Sequence, residues 1–97
     1  MTGPDARPLP SGYPDPAIAR SEEFDYLDLH IRMTVTPGER FVQLWELVDD
    51  HPARWLGNAF RVDAEPPCLY LTYRFEPHFS RLQRDALARI AAKFWKP

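Results

Sequence analysis

A strict alternation of apolar and polar side chains from Tyr26 to Val35 constrains the fold more than any other feature of the sequence. The apolar members of this run are Leu27, Leu29, Ile31, Met33 and Val35. Successive side chains of a β-strand point to opposite faces, so a period of two indicates a strand with one buried face. We therefore expect a strand over residues 26–35 with one apolar and one polar face.

Two later stretches, residues 60–64 and 69–76, alternate in the same way. Glu65-Pro66-Pro67 lies between them, and a proline pair favours a loop over a continuous strand. The sequence thus predicts two further strands that pair in an antiparallel manner.

Helical spacing replaces the alternation near the C-terminus. At 100° per residue one face collects the apolar side chains Phe79, Leu82, Ala86, Leu87, Ile90 and Phe94. Pro77 precedes this stretch, where its missing N–H costs nothing. We expect a C-terminal helix that packs on the sheet through this face.

Residues 41–48 fit two interpretations. As a strand they are rich in residues that favour sheets, and Pro37-Gly38 suits a turn before them. As a helix they place Phe41, Leu44 and Trp45 on one face. We favour the strand, which gives an α+β fold with an antiparallel four-stranded meander backed by one C-terminal helix. The alternative is a β-α-β-β-α two-layer sandwich.

The chain of 97 residues is the length of one domain. Five of its 11 prolines fall within residues 1–16, and proline removes the backbone donor that a regular element needs. We expect residues 1–22 to form a flexible proline-rich leader and residues 23–97 to form a single small α+β domain.

Composition narrows the classes of function. Twelve basic residues stand against 14 acidic ones, for a net charge of −2, which argues against a strongly basic nucleic-acid tail. The single cysteine excludes an internal disulfide. Without a signal-like or membrane-spanning apolar run, we expect a cytoplasmic protein.

One helix covers one face of a small sheet and leaves the other face open. Because residues 41–48 are apolar on both sides, Trp45 or its neighbours would be exposed, and such a surface usually marks an interaction site. We expect a non-catalytic binding module, most simply a homodimer, that binds a macromolecule or small ligand. The expected interaction surface comprises Tyr26, His30, Arg32, Trp45, Tyr70, Arg74 and Trp95. For Trp95, a helix–helix contact and a side chain folded back on its own domain both remain open.

Candidate chemistry is sparse. Asp28, His30 and Arg32 would share a strand face, and a histidine beside a carboxylate is the material of acid–base catalysis. No nucleophile motif or phosphate loop accompanies them, so we expect no enzyme and no cofactor. The three histidines and Cys68 are scattered without ligand spacing, so we expect no metal site.

Nucleic-acid binding is the alternative function. Aromatic and arginine side chains on an open sheet can stack on bases and meet phosphates. Residues 78–97 carry five basic residues against one acid. The basic helix residues are Arg81, Arg84, Arg89 and Lys93.

Overall fold

A computed structural model describes residues 9–96 as one antiparallel sheet with a single α-helix. The strands are β1 (Arg20–Tyr26), β2 (Leu29–Val35), β3 (Phe41–Val48), β4 (His51–Phe60) and β5 (Cys68–Leu71). They lie in the order β1-β2-β3-β4-β5. A short 3₁₀ turn at Glu76–His78 precedes helix α1 (Arg81–Trp95). The α+β meander backed by a C-terminal helix is confirmed, but the sheet has five strands and not four.

The predicted strand over residues 26–35 is divided by a hairpin. Leu27 and Asp28 form a two-residue turn, and Tyr26 pairs with Leu29. Residues 20–26 form the additional strand, which includes residues 20–22 of the expected leader. This strand is polar because it lies at the edge of the sheet, where only Phe24 and Tyr26 pack against the core.

The strand over residues 41–48 is confirmed as β3. The predicted strand over residues 60–64 is wrong. Strand β4 pairs with β3 and already ends at Phe60, which lies opposite Phe41. Register shifts in the β3–β4 pair interrupt the alternation of β4, and Pro52 lies within it. Strand β5 stops at Leu71, and Thr72–Phe75 turns toward α1.

Gly57 marks the closest approach of two strands. Its φ is +157°, and a Cβ at this position would collide with the carbonyl oxygen of Tyr70 and lie 2.9 Å from the Leu71 Cα. Only glycine allows β4 and β5 to pair at this point.

Helix α1 begins with a capping box. The Ser80 hydroxyl accepts from the Gln83 N–H, and the Gln83 side chain accepts from the Ser80 N–H. At its other end, Arg20 of β1 donates to the carbonyl oxygens of Phe94 and Trp95, at 2.5 and 2.9 Å. The Arg20 contacts hold the C-terminal end of the helix on β1.

The buried face of α1 matches the predicted one in part, since Phe79 and Leu87 are buried and Ile90 and Phe94 pack against the core. Leu87, Ala88, Ala91 and Ala92 are buried, whereas Leu82 is 81% exposed and Ala86 is exposed. The alanines allow the helix axis to lie close to the sheet, so the buried face centres on small residues and not on the largest ones. Within residues 9–96, no helix has both the length and the apolar character needed to span a membrane.

Candidate functional site

The two faces of the sheet differ in what covers them. Helix α1 packs on one face, where Ile31, Val42 and Leu44 belong to the core. The register places His30, Arg32, Trp45, Asn58 and Tyr70 on the other face, which we call the open face. Its surface is divided into a β1–β3 half and a β4–β5 half of different chemistry.

The N-terminal segment, residues 9–19, covers part of the β1–β3 half. The ring of Tyr13 meets the indole of Trp45 edge-on, with centroids 4.8 Å apart. Trp45 is only 4% exposed, although α1 lies on the opposite face. Turns at Pro10–Tyr13 and Asp15–Ala19 shape this segment. The N-terminal segment therefore covers Trp45, a side chain that we expected from the sequence to be exposed.

A row of charged side chains crosses β1 and β2 beside Tyr13. His30 Nδ1 lies 2.5 Å from Asp25 Oδ1, and His30 Nε2 lies 3.2 Å from Glu23 Oε1. Glu23 Oε2 accepts from Arg32 Nε at 3.1 Å and Nη2 at 2.5 Å. Arg32 Nη1 donates to the Tyr13 hydroxyl at 3.0 Å. We call these five residues the ionic network.

The ionic network favours a charged histidine. Both ring nitrogens of His30 face carboxylate oxygens, and only the imidazolium can donate to both. Asp25, and after it Glu23, raise the pKa of His30 above its ordinary value of 6.5. The hydrogen bond from Arg32 is the main cause that lowers the pKa of Glu23 below 4.5. A histidine held in this way is engaged by its neighbours, which favours a structural role.

A potential metal-ligand group overlaps this network. One side-chain ligand atom from each of Glu23, His30 and Asp50 lies within 4.8 Å of the other two. The same Glu23 and His30 atoms already bond within the network, and the Arg32 cation lies against Glu23. The positions of Glu23 and His30 are thus explained by hydrogen bonds and ion pairs.

The β4–β5 half of the open face carries exposed aromatic side chains. Trp55, Phe60 and Tyr70 are 38%, 41% and 51% exposed, and we call them the aromatic patch. The rings of Trp55 and Tyr70 lie 6.0 Å apart. The other two strand residues of this half are Asn58 and Cys68. None of the five side chains is charged.

Several predicted site residues lie elsewhere. Tyr26 faces α1 and donates from its hydroxyl to the Gln83 carbonyl at 2.7 Å, because the hairpin reverses the parity of the strand. Asp28 lies in the turn and pairs with His78 at 2.9 Å, not with His30. Trp95 folds back on its own domain and donates to the Glu39 carbonyl at 3.3 Å.

The basic residues of α1 are exposed or half-buried, and two have acidic neighbours. Arg84 lies 3.7 Å from Glu76, and Arg89 lies 3.6 Å from Glu65. Arg81 and Lys93 are exposed. Arg74 lies in the turn after β5 and not on the strand face.

The sequence interpretation missed Tyr13, Glu23, Asp25 and Trp55. A signal for two of them was present, since Glu23 and Asp25 alternate with Phe24 and Tyr26. Tyr13 carries no such signal, because its contact with Trp45 joins residues 32 positions apart in an irregular segment.

Comparison of the chain with family models, with curated proteins and with solved structures finds no match.

Proposed function

We propose that this protein is a non-catalytic binding module that associates with a second copy of itself through the β5 edge and the aromatic patch. The observation that carries the proposal is the patch of Trp55, Phe60 and Tyr70 on the uncharged half of the open face. Exposed aromatic side chains that lie close together on one surface usually mark an interaction site.

Strand β5 supports a second copy as the occupant. The Thr72 N–H donates to the Leu56 carbonyl at 2.9 Å. Along an antiparallel strand, residues whose backbone groups face the paired strand alternate with residues whose backbone groups face away from it. Leu69 and Leu71 therefore direct their backbone N–H and C=O groups to the outer edge. An apolar edge strand without charge is a ready template for another strand.

The opposite edge of the sheet is less suited to this contact. Strand β1 carries Glu22, Glu23 and Asp25, and charged side chains on an edge strand disfavour its pairing with another strand. Two β5 strands meeting across a two-fold axis would bring the uncharged strand residues of both copies together. The nucleic-acid alternative is weaker on this face, because Arg32 is held by Glu23 and Tyr13.

Light scattering on a size-exclusion column, over a wide range of protein concentration, tests this proposal. The wild-type protein should approach twice 11.3 kDa. Tyr70→Lys should remain at the monomer mass, because a charged side chain would replace an aromatic ring of the contact surface. Tyr73→Lys changes a more exposed tyrosine outside β5 and should dimerise normally.

Circular dichroism establishes that both variants keep their fold. A wild-type protein that stays at 11.3 kDa throughout contradicts the proposal. A folded Tyr70→Lys variant that dimerises as strongly as the wild type also contradicts it.

A further inference from the structure

A groove with two arginines and two exposed aromatic rings lies beside the turn after β5. Its volume is about 240 Å³. Its lining comprises Arg54, Trp55, Thr72, Tyr73, Arg74 and Phe75. None of these residues is acidic, and the groove lies outside the ionic network.

Two exposed groups of the groove are held by an anchored turn. Phe75 is buried and donates its N–H to the Thr72 carbonyl at 2.9 Å. Tyr73, at 86% exposed, and Arg74 come directly before it. The turn thus presents a free ring and a guanidinium side by side on a fixed backbone.

The two arginines differ in their partners. Arg54 Nε lies 2.7 Å from the buried Glu46 carboxylate, and its guanidinium lies 5.6 Å from the centre of the Phe75 ring. Arg74 makes no side-chain hydrogen bond or ion pair within residues 9–96. The positive charge of Arg74 is therefore available to pair with a bound anion.

We propose that this groove binds a nucleotide, with its base against the Tyr73 ring and its phosphate on the Arg74 guanidinium. An aromatic face suits every base, and arginine matches phosphate through paired N–H donors. An acidic peptide would use the arginine but not the exposed ring. The inference does not rest on association with a second copy, because Tyr73 and Arg74 lie outside β5.

An NMR titration of the full chain with adenosine monophosphate tests the site. The backbone amides of Thr72–Phe75 and the Trp55 indole should shift. Adenosine alone and inorganic phosphate alone should each bind about tenfold more weakly, because each lacks one of the two contacts.

Variants separate the two contacts. Arg74→Gln should weaken the nucleotide about tenfold and leave adenosine unchanged. Tyr73→Ala should weaken both the nucleotide and adenosine by a similar factor. Arg81→Gln, which removes another exposed arginine on α1, should have no effect.

Three outcomes overturn the proposal. One is the absence of any shift in the groove with adenosine monophosphate. The second is inorganic phosphate binding as tightly as the nucleotide. The third is equal weakening by Arg81→Gln and Arg74→Gln, which would indicate general attraction to basic side chains. The mass measured by light scattering is a separate readout, so failure here leaves the self-association proposal standing.

Discussion

The phenol ring of Tyr13 lies edge-on against the indole of Trp45, with the ring centroids 4.8 Å apart. The hydroxyl of the same tyrosine accepts a hydrogen bond from Arg32 at 3.0 Å. One side chain of the N-terminal segment thus joins an aromatic contact to the ionic network. The N-terminal segment thus covers part of the β1–β3 half of the open face. The aromatic patch on the β4–β5 half stays exposed.

Removal of the Tyr13 ring should open this half of the face. Tyr13→Ala should lower the free energy of unfolding by about 1–3 kcal/mol, because both the ring contact and the hydrogen bond are lost. Tyr13→Phe should lose only the hydrogen bond, about 1 kcal/mol. Urea unfolding measures both values, and a red shift of tryptophan emission in Tyr13→Ala reports the exposure of Trp45.

Tyr73→Ala is the matched control, since that tyrosine is 86% exposed and contributes little to the core. Equal stability of Tyr13→Ala and the wild type would show that the N-terminal segment does not rest on Trp45.

His30 should make the stability of the protein depend on pH. Because Asp25 and Glu23 raise its pKa above 6.5 in the folded state, the folded protein holds the proton more tightly than the unfolded chain. This contribution is fully present below pH 6.5 and is lost as the pH rises through the raised folded value. Urea unfolding at a series of pH values should therefore show a decline over that window.

His30→Gln should remove this decline, whereas His51→Gln should keep it. The two variants each delete one histidine, but only His30 pairs with two carboxylates. A decline of the same size in His30→Gln and the wild type would assign the pH dependence to another group.

Leu27 occupies a backbone conformation that suits it poorly. Its φ is +57°, and its side chain is 53% exposed in the two-residue turn between β1 and β2. Asparagine accepts positive φ more readily than leucine, and hairpin turns of this length favour it. Leu27→Asn should therefore raise the free energy of unfolding by about 0.5–1 kcal/mol.

Leu82→Asn is the control with the opposite expected sign. It replaces an exposed leucine in α1, where asparagine is the poorer helix former by about 0.5 kcal/mol. Thermal unfolding compares the two variants. A loss of stability in Leu27→Asn would mean that the leucine contributes packing that outweighs its backbone strain.

Periodic stretches of the sequence were enough to predict the α+β class and the C-terminal helix, whereas β3 was predicted from its strand-favouring residues and the turn before it. The alternation of Leu29, Ile31 and Met33 and the spacing of Leu87 and Ile90 reflect burial of one face, which a local pattern records directly. Strand β1 escaped prediction because an edge strand buries few side chains. Strand β4 escaped because Pro52 and its register shifts interrupt the period.

Tertiary structure alone decided which half of the open face is exposed. Trp45 and Trp55 lie opposite each other in neighbouring strands, and their sequence patterns are similar. Trp45 is buried because Tyr13, far away in sequence and within an irregular segment, packs against it. The sequence by itself determined that the strand over residues 41–48 carries apolar side chains on both of its faces. Which aromatic residue of the open face meets solvent depends on a long-range contact that has no local period.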